Sequence, residues 1–223
     1  MTLKALLLGS IGVVAETSDI QRRAYNQALK ESHVDWQWDP ETYRELLAET
    51  GGKQRLARLS AASGDLLSDA QVDAIHQRKT QIACAEVAAG IDLRPGIAAM
   101  IEQALAEGIA VAFVTSTYRP NIDAIAAGGK LPLDRFALVL TREDCDNGKP
   151  APDVYLVALK RLNIDAAEAV AIEDSAASVG AAKAAGIYTI ATPGQFTKGQ
   201  DFSGADLVLD SLEGLTIDEL RPA

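Results

Sequence analysis

Cysteine and histidine are nearly absent from this sequence. Cys84 and Cys145 stand far apart with no C-x-x-C pairing, and His33 and His76 are its only imidazoles, which argues against a disulfide framework and against a zinc site. Basic residues are in the minority as well: 21 Lys and Arg face 31 Asp and Glu, for a formal net charge of -10. A field of that sign repels phosphate backbones and anionic headgroups, so nucleic acid and membrane surfaces are not expected partners. No stretch approaches the roughly 20 apolar residues that a bilayer span requires. The amino terminus, MTLKALLLGSIGVV, places one basic residue before a short apolar run and lacks a small-residue cleavage site. It reads as a buried first strand rather than a signal peptide, and the expected location is the cytoplasm. No heptad pattern demands a partner chain, so a monomer is the default expectation.

What is present is a chain of 223 residues, long enough to bury a full core as one domain with a smaller insertion. Residues 3–8 form a continuous apolar run ended by Gly9, Ser10 and Gly12, the pattern of a strand buried on both faces that feeds a flexible loop. From residue 18 to about 89 only helical stretches follow, at 19–31, at 41–49 behind Pro40, at 54–62, and in a long helix opened by Ser68. Pro40 at a first helical position and Ser68 with Gln71 as a capping box mark two of those starts. After Leu93-Arg94-Pro95-Gly96 the rhythm changes. Helices at 97–107, 120–128, 153–162 and 176–185 alternate with strands at 109–114, 136–140, 169–172 and 187–191, and 205–209 supplies a last short strand. This alternation predicts an α/β fold: a Rossmann-like parallel sheet covered on both faces, from residues 1–14 and 90–223, with an inserted all-helical cap over 15–89.

Such sheets bind ligands outside the carboxyl ends of their strands, so the loops after Leu8, Val114, Leu140 and Ile172 matter most. The second of these reads Thr115-Ser116-Thr117-Tyr118-Arg119-Pro120-Asn121. Hydroxyls and free N–H groups at a helix start suit a phosphate, although Ser and Thr also serve there as plain caps. The third, Asn147-Gly148-Lys149-Pro150-Ala151-Pro152-Asp153, restrains one lysine between a glycine and two prolines, either to neutralise phosphate charge or as a solvated turn lysine. Pro150 is also a candidate for the cis isomer, a state adopted by about 5% of X–Pro bonds. The fourth delivers Glu173-Asp174-Ser175 from a buried strand. Hard oxygen ligands in that place suit magnesium beside a phosphate, though a helix cap from Asp174 or Ser175 would account for them too. Together, at the ends of successive strands, these loops read as a phosphate-and-metal site.

These residues resemble the haloacid dehalogenase-like hydrolases that carry a small helical cap. Thr115 is similar to their second motif, Lys149-Pro150-Ala151-Pro152-Asp153 to their third and Glu173-Asp174-Ser175 to their fourth, and the resemblance spans the whole chain. Within that superfamily the likeness is strongest to the CbbY-like sugar-phosphate phosphatases, which act on xylulose-1,5-bisphosphate and neighbour the phosphoglycolate phosphatases and β-phosphoglucomutases. It is carried by Tyr43-Arg44-Glu45-Leu46-Leu47, Thr50-Gly51-Gly52-Lys53, Leu93-Arg94-Pro95-Gly96, Ile172-Glu173-Asp174-Ser175 and Asp201-Phe202-Ser203-Gly204-Ala205. The resemblance implies a Mg2+ cofactor on Glu173 and Asp174, reaction-site roles for Thr115 and Lys149, and substrate contacts from Gly12, Glu16, Gln21, Lys53, Lys79 and Ser116. Gln21 falls where the mutases place a histidine, which argues against mutase activity. A solvated helix face is the plainer alternative for Lys53 and Lys79.

In that family the first strand ends in Asp-x-Asp-Gly-Thr/Val. The first aspartate attacks phosphorus and binds magnesium; the second protonates the leaving group and then activates water. Here the stretch reads Gly9-Ser10-Ile11-Gly12-Val13. Gly9 offers no side-chain nucleophile, and Ile11 can neither donate nor accept a proton, which removes a contribution of roughly 100-fold to 10,000-fold. Only the carbonyl of Ile11 remains from this loop as a ligand, so magnesium binding is expected to be weak. Ser10 is expected to point away, because its neighbours face the site. The leading expectation is a pseudophosphatase that holds a small phosphorylated metabolite or phosphate without turnover. Behind it stand a purely structural or interaction protein, and an enzyme of altered chemistry in which Glu173 or Asp174 holds an attacking water beside Lys149.

Overall fold

Among the residues that the computed structural model describes, 2–47, 51–64 and 66–220, six strands form one sheet. They are β1 (Ala5–Leu8), β2 (Ala110–Val114), β3 (Leu138–Leu140), β4 (Ala169–Glu173), β5 (Tyr188–Ala191) and β6 (Leu207–Val208). Every pairing is parallel, in the order β3-β2-β1-β4-β5-β6. The chain therefore builds outward from β1 through β2 to β3, then crosses back to lay β4 on the other side of β1. A crevice opens at the carboxyl ends where the direction of winding reverses. Gly9 after β1 and Glu173 at the end of β4 meet there, because Leu8 pairs with Ile172.

The sheet is apolar on both faces because helices cover both. Leu6, Leu8, Val111, Phe113, Val170 and Ile172 pack on one side with α5 (Ile97–Ala106) and α6 (Arg119–Gly128). Leu7, Ala112, Val114 and Ala171 pack on the other with α7 (Asp153–Leu162) and α8 (Ala176–Ala184). This is why strand 1 reads as an unbroken apolar run rather than an alternating one. Each fully buried Leu, Ile or Phe contributes about 1.5–3 kcal/mol.

Between Ala15 and Leu93, which form a β-bridge to each other, the described chain is helical: α1 (Ser18–Glu31), α2 (Pro40–Leu46), α3 (Gly52–Ser63) and α4 (Asp69–Ala89). Their core is aromatic, with Tyr25 4.7 Å from Trp38 and Trp38 stacked 6.0 Å from Tyr43. Phe196, from the loop after β5, edges onto Tyr43 at 5.7 Å and ties the cap to the sheet domain. Asp39 caps α2 through bonds from the N–H groups of Glu41 and Thr42, and Ser68 and Gln71 form the capping box on α4. Helix α2 runs to Leu46; residues 48–50, including Thr50 and the end of the helix expected over 41–49, lie outside the described residues.

The sheet differs from the sequence expectation at its margins. β1 starts at Ala5 and β3 at Leu138, and edge strand β6 pairs only through Leu207 and Val208. Among the described residues four 3-10 turns, at Leu133–Arg135, Arg142–Asp144, Ala166–Glu168 and Ile217–Leu220, were not anticipated, being too short for any periodic signal. Among the described residues no helix is long and apolar enough to cross a membrane.

Candidate active site

The site begins with an absence at the end of β1. The Gly9 N–H donates to the Ile172 carbonyl at 3.0 Å, holding this loop to β4. A Cβ on Gly9 would lie 2.6 Å from Glu173 Oε2 and 2.8 Å from Val13 Cγ2. Glu173 thus leans over the place that any side chain at position 9 would need. Gly12, at φ +78°, carries the backbone across Asp174, whose carboxylate a Cβ there would strike. Only glycine combines that dihedral with that approach. Behind the loop Arg94 acts as a clamp, donating to the carbonyls of Gly12, Thr192 (2.6 Å) and Pro193 (3.2 Å).

Lys149 is not a solvated turn lysine. It is 3% exposed, and its Nζ donates to the Val114 carbonyl at 2.9 Å and to Glu173 Oε1, with Tyr155 Oη 3.2 Å away. Tyr155 donates to the same Glu173 oxygen. Burial, then the Glu173 carboxylate, push the phenol well above its ordinary pKa, so it stays a donor. The ion pair is buried on both sides, a class whose breakage by loss of one partner costs about 3–5 kcal/mol. The Lys149–Pro150 bond is cis, and the Lys149 N–H donates to Ser116 Oγ at 3.0 Å. Asp174 keeps part of its surface toward the cavity, yet burial first, then Glu173 and Glu16, push its pKa up to about 8.

The hydroxyl loop corrects one expectation. Ser10 does not point away: it is 2% exposed, and its Oγ lies 2.9 Å from Thr115 Oγ1 and donates to Thr117 Oγ1 at 3.3 Å. Thr115 Oγ1 also accepts from the Thr117 N–H at 3.1 Å. These hydroxyls organise the loop rather than cap α6, whose N-cap is Tyr118 without a side-chain bond. For Ser175 the plain reading holds, since its Oγ accepts from the Ser178 N–H and caps α8.

A cavity of about 350 Å³ lies between these loops and the helices, within the range of small-ligand sites. Gly9, Ser10, Ile11, Thr115, Ser116, Lys149, Glu173 and Asp174 line it from the sheet, and Gln21, Arg55, His76 and Lys79 from the cap. Lys79 is 8% exposed, with its ammonium 4.7 Å from the centre of the Tyr25 ring. Burial, then the neighbouring Arg55 charge, lower its pKa to about 7. His76, edge-on to Tyr118 at 5.6 Å, is lowered to about 4 by burial, then by Lys79 and Lys53, and so is neutral. Gln21 donates to Asn121 Oδ1 at 3.2 Å across the cap–sheet boundary, while its Oε1 is buried without a hydrogen-bond donor.

Three expected contacts fall elsewhere. Lys53 pairs with Asp73 at 2.6 Å on an exposed face, and neither it, Glu16 nor Gly12 lines the cavity. Glu16 instead accepts from the N–H groups of Ser18 and Gln195, both at 3.0 Å, bracing the cap linker. Arg55, Arg142 and Tyr155 were missed. Arg55 is 6% exposed, donates to the Leu46 carbonyl at 2.7 Å and covers the Tyr43 ring. Arg142 reaches the cavity from the loop after β3, held by the Asp146 carbonyl at 3.0 Å. Tyr155, on the buried face of α7, carried no sequence signal of its own.

The expected magnesium ligands, Glu173 and Asp174, make a poor set for that ion. Gly9 and Ile11 supply no side-chain oxygen, and Glu173 Oε1 is engaged by Lys149 and Tyr155. Among the described residues no group of three or more His, Cys, Asp or Glu is arranged to hold a metal, so magnesium would rest on two carboxylates, one of them engaged, with water and a ligand's own oxygens completing its octahedron.

Residues 4–186 match the family described as haloacid dehalogenase-like hydrolase. The chain is 41% identical over 209 residues to Protein CbbY of Rhodobacter capsulatus, covering 92% of each. It superposes with a TM-score of 0.92, at 37% identity and over 99% of this chain and 100% of the other, on a point mutant of CbbY from Rhodobacter sphaeroides in complex with xylulose-(1,5)bisphosphate. The phosphate complex of CbbY from the same organism gives 0.91 at 37% identity, over 98% and 99%. The fold is thus shared along nearly the whole length, and the chain belongs to the haloacid dehalogenase-like hydrolases, within their CbbY-like branch.

Proposed function

We propose that this protein holds a small phosphorylated sugar between sheet and cap without hydrolysing it by the two-aspartate route. The observation that carries this reading is the end of β1, where Gly9 offers no atom to attack phosphorus and Glu173 fills the neighbouring space. Ile11 offers no proton to a leaving group. Binding asks much less of the site. The hydroxyls of Thr115 and Ser116, with the Lys149 charge behind them, suit one phosphate group. Lys79 and Arg55 suit a second anionic group at the cap, and Gln21 Oε1 suits a sugar hydroxyl. The relatives' complexes with xylulose-(1,5)bisphosphate and with phosphate support that ligand class.

A directly attacking water would require as base either Glu173, whose Oε1 already accepts from Lys149 and Tyr155, or Asp174, whose pKa burial pushes up to about 8; binding alone makes no such demand. The deciding experiment pairs two assays on xylulose-1,5-bisphosphate and a panel of small sugar phosphates: release of phosphate, and the shift in melting temperature. The expected result is stabilisation, about 2.7 kcal/mol at a hundred times Kd, with no release. Release that survives rigorous purification and is lost in Glu173→Ala refutes the proposal, and a missing shift throughout favours a purely structural role.

A further inference from the structure

We infer that the anion site of this chain works without a divalent cation, the surplus of fixed basic side chains in its cavity doing what a metal would otherwise do. This rests on the proposed binding of a phosphorylated ligand and adds the condition under which it occurs. In a protein of formal net charge -10, the cavity is lined by four basic side chains, Arg55, Lys79, Arg142 and Lys149, and by only two carboxylates, Glu173 and Asp174. Positions 9 and 11, at the mouth of the phosphate loop, carry none. A phosphate dianion entering here meets no excess of negative charge that a cation must bridge.

Geometry points the same way. One of the two carboxylates is already engaged and the other is crowded. Glu173 Oε1 accepts from Lys149 and Tyr155, and Asp174 is covered by the backbone of Gly12, which Arg94 holds from behind. A divalent ion would find Glu173 Oε1 already taken, leaving it Oε2 and Asp174, and the described residues hold no cluster of three candidate side-chain ligands. Adding carboxylates at the end of β1 would reverse this balance and make a cation necessary again.

The test is calorimetric titration of the purified chain with inorganic phosphate, once in EDTA and once in excess Mg2+. Equal dissociation constants, within about threefold, are expected, together with no change in melting temperature on adding Mg2+ alone. Phosphate binding that Mg2+ tightens by about tenfold or more overturns the inference while leaving the binding function intact. No phosphate binding in either buffer overturns both. In a second arm, Ile11→Asp places one carboxylate at the cavity wall. Its affinity in EDTA should fall by about tenfold and recover with Mg2+; an unchanged affinity in EDTA would show that fixed charge does not govern the site. If that variant does not fold, the titrations of the parent chain decide alone.

Discussion

Gly9→Ala is the smallest change that tests whether Glu173 stands where the nucleophile of a relative would be. Gly9 has no positive φ, so alanine suits its backbone, and the lost freedom of the unfolded chain should stabilise the variant by about 0.4–1 kcal/mol. Against that, the new methyl would sit 2.6 Å from Glu173 Oε2 and 2.8 Å from Val13 Cγ2. Overpacking of this kind costs roughly 1–3 kcal/mol. It is aggravated here because Glu173 cannot retreat without straining its bonds from Lys149 and Tyr155. The clash wins, for a net loss of about 1–2 kcal/mol and a melting temperature lower by about 2–4 °C per kcal/mol. Urea unfolding of parent, Gly9→Ala, Glu173→Ala and the double variant completes the cycle. In the Glu173→Ala background the cost of Gly9→Ala should shrink markedly, though the Val13 contact keeps it from vanishing. If Gly9→Ala is neutral or stabilising in the parent, the carboxylate is not where the reasoning puts it.

Lys149→Met should destabilise the fold by about 3–5 kcal/mol, because Glu173 is left buried with Tyr155 alone; Lys149→Met with Glu173→Gln should recover most of that loss by chemical denaturation. The pKa of Lys79 is depressed in the folded state to about 7 from 10.5, so between those values the unfolded chain binds more protons. Its contribution makes stability rise with pH from about 7 to 10.5 and stay level below 7, and Lys79→Met should flatten that window in melting curves. The groups facing it are Arg55 from α3, Tyr25 from α1, and His76 and Cys84 on its own helix. Arg94→Ala leaves the carbonyls of Gly12, Thr192 and Pro193 without their charged donor. It should cost about 1.5–3 kcal/mol and speed amide exchange in residues 12–15; exchange that rises only globally would deny Arg94 its local role.

The sheet was legible because burial on both faces imposes an unambiguous pattern. A strand such as β1 must be apolar at every position, and helices of about ten residues between such strands leave little but parallel crossovers. The order of strands was less legible. Nothing in the sequence of β4 says that it returns beside β1 rather than beside β3; the neighbouring residues Val170 and Ile172 only match Leu6 and Leu8 once the two are paired. Short elements were lost for a related reason, since three residues at Leu133–Arg135 or Arg142–Asp144 carry no period.

Side-chain direction was the least legible property, and the two cases fail for different reasons. Ser10 was placed by the resemblance, in which its two neighbours face the site, but the strand ends at Leu8, and the Val14 N–H turns back to the Ser10 carbonyl at 2.9 Å. Once the chain leaves extended geometry, a period of two no longer assigns faces, and the hydroxyl was free to turn toward Thr115. Lys53 and Arg55 both sit early in α3, where two positions differ by about 200° around the axis. A lysine and an arginine so spaced cannot share a face. Which one looks inward is decided by the aromatic cluster around Tyr43 and by the carbonyl of Leu46, neither of which is adjacent in sequence. The loss at Gly9 has the same character. The sequence shows that a carboxylate is missing, but only the packing shows the consequence: the glutamate one strand away takes the space, and Lys149 is paired with that glutamate.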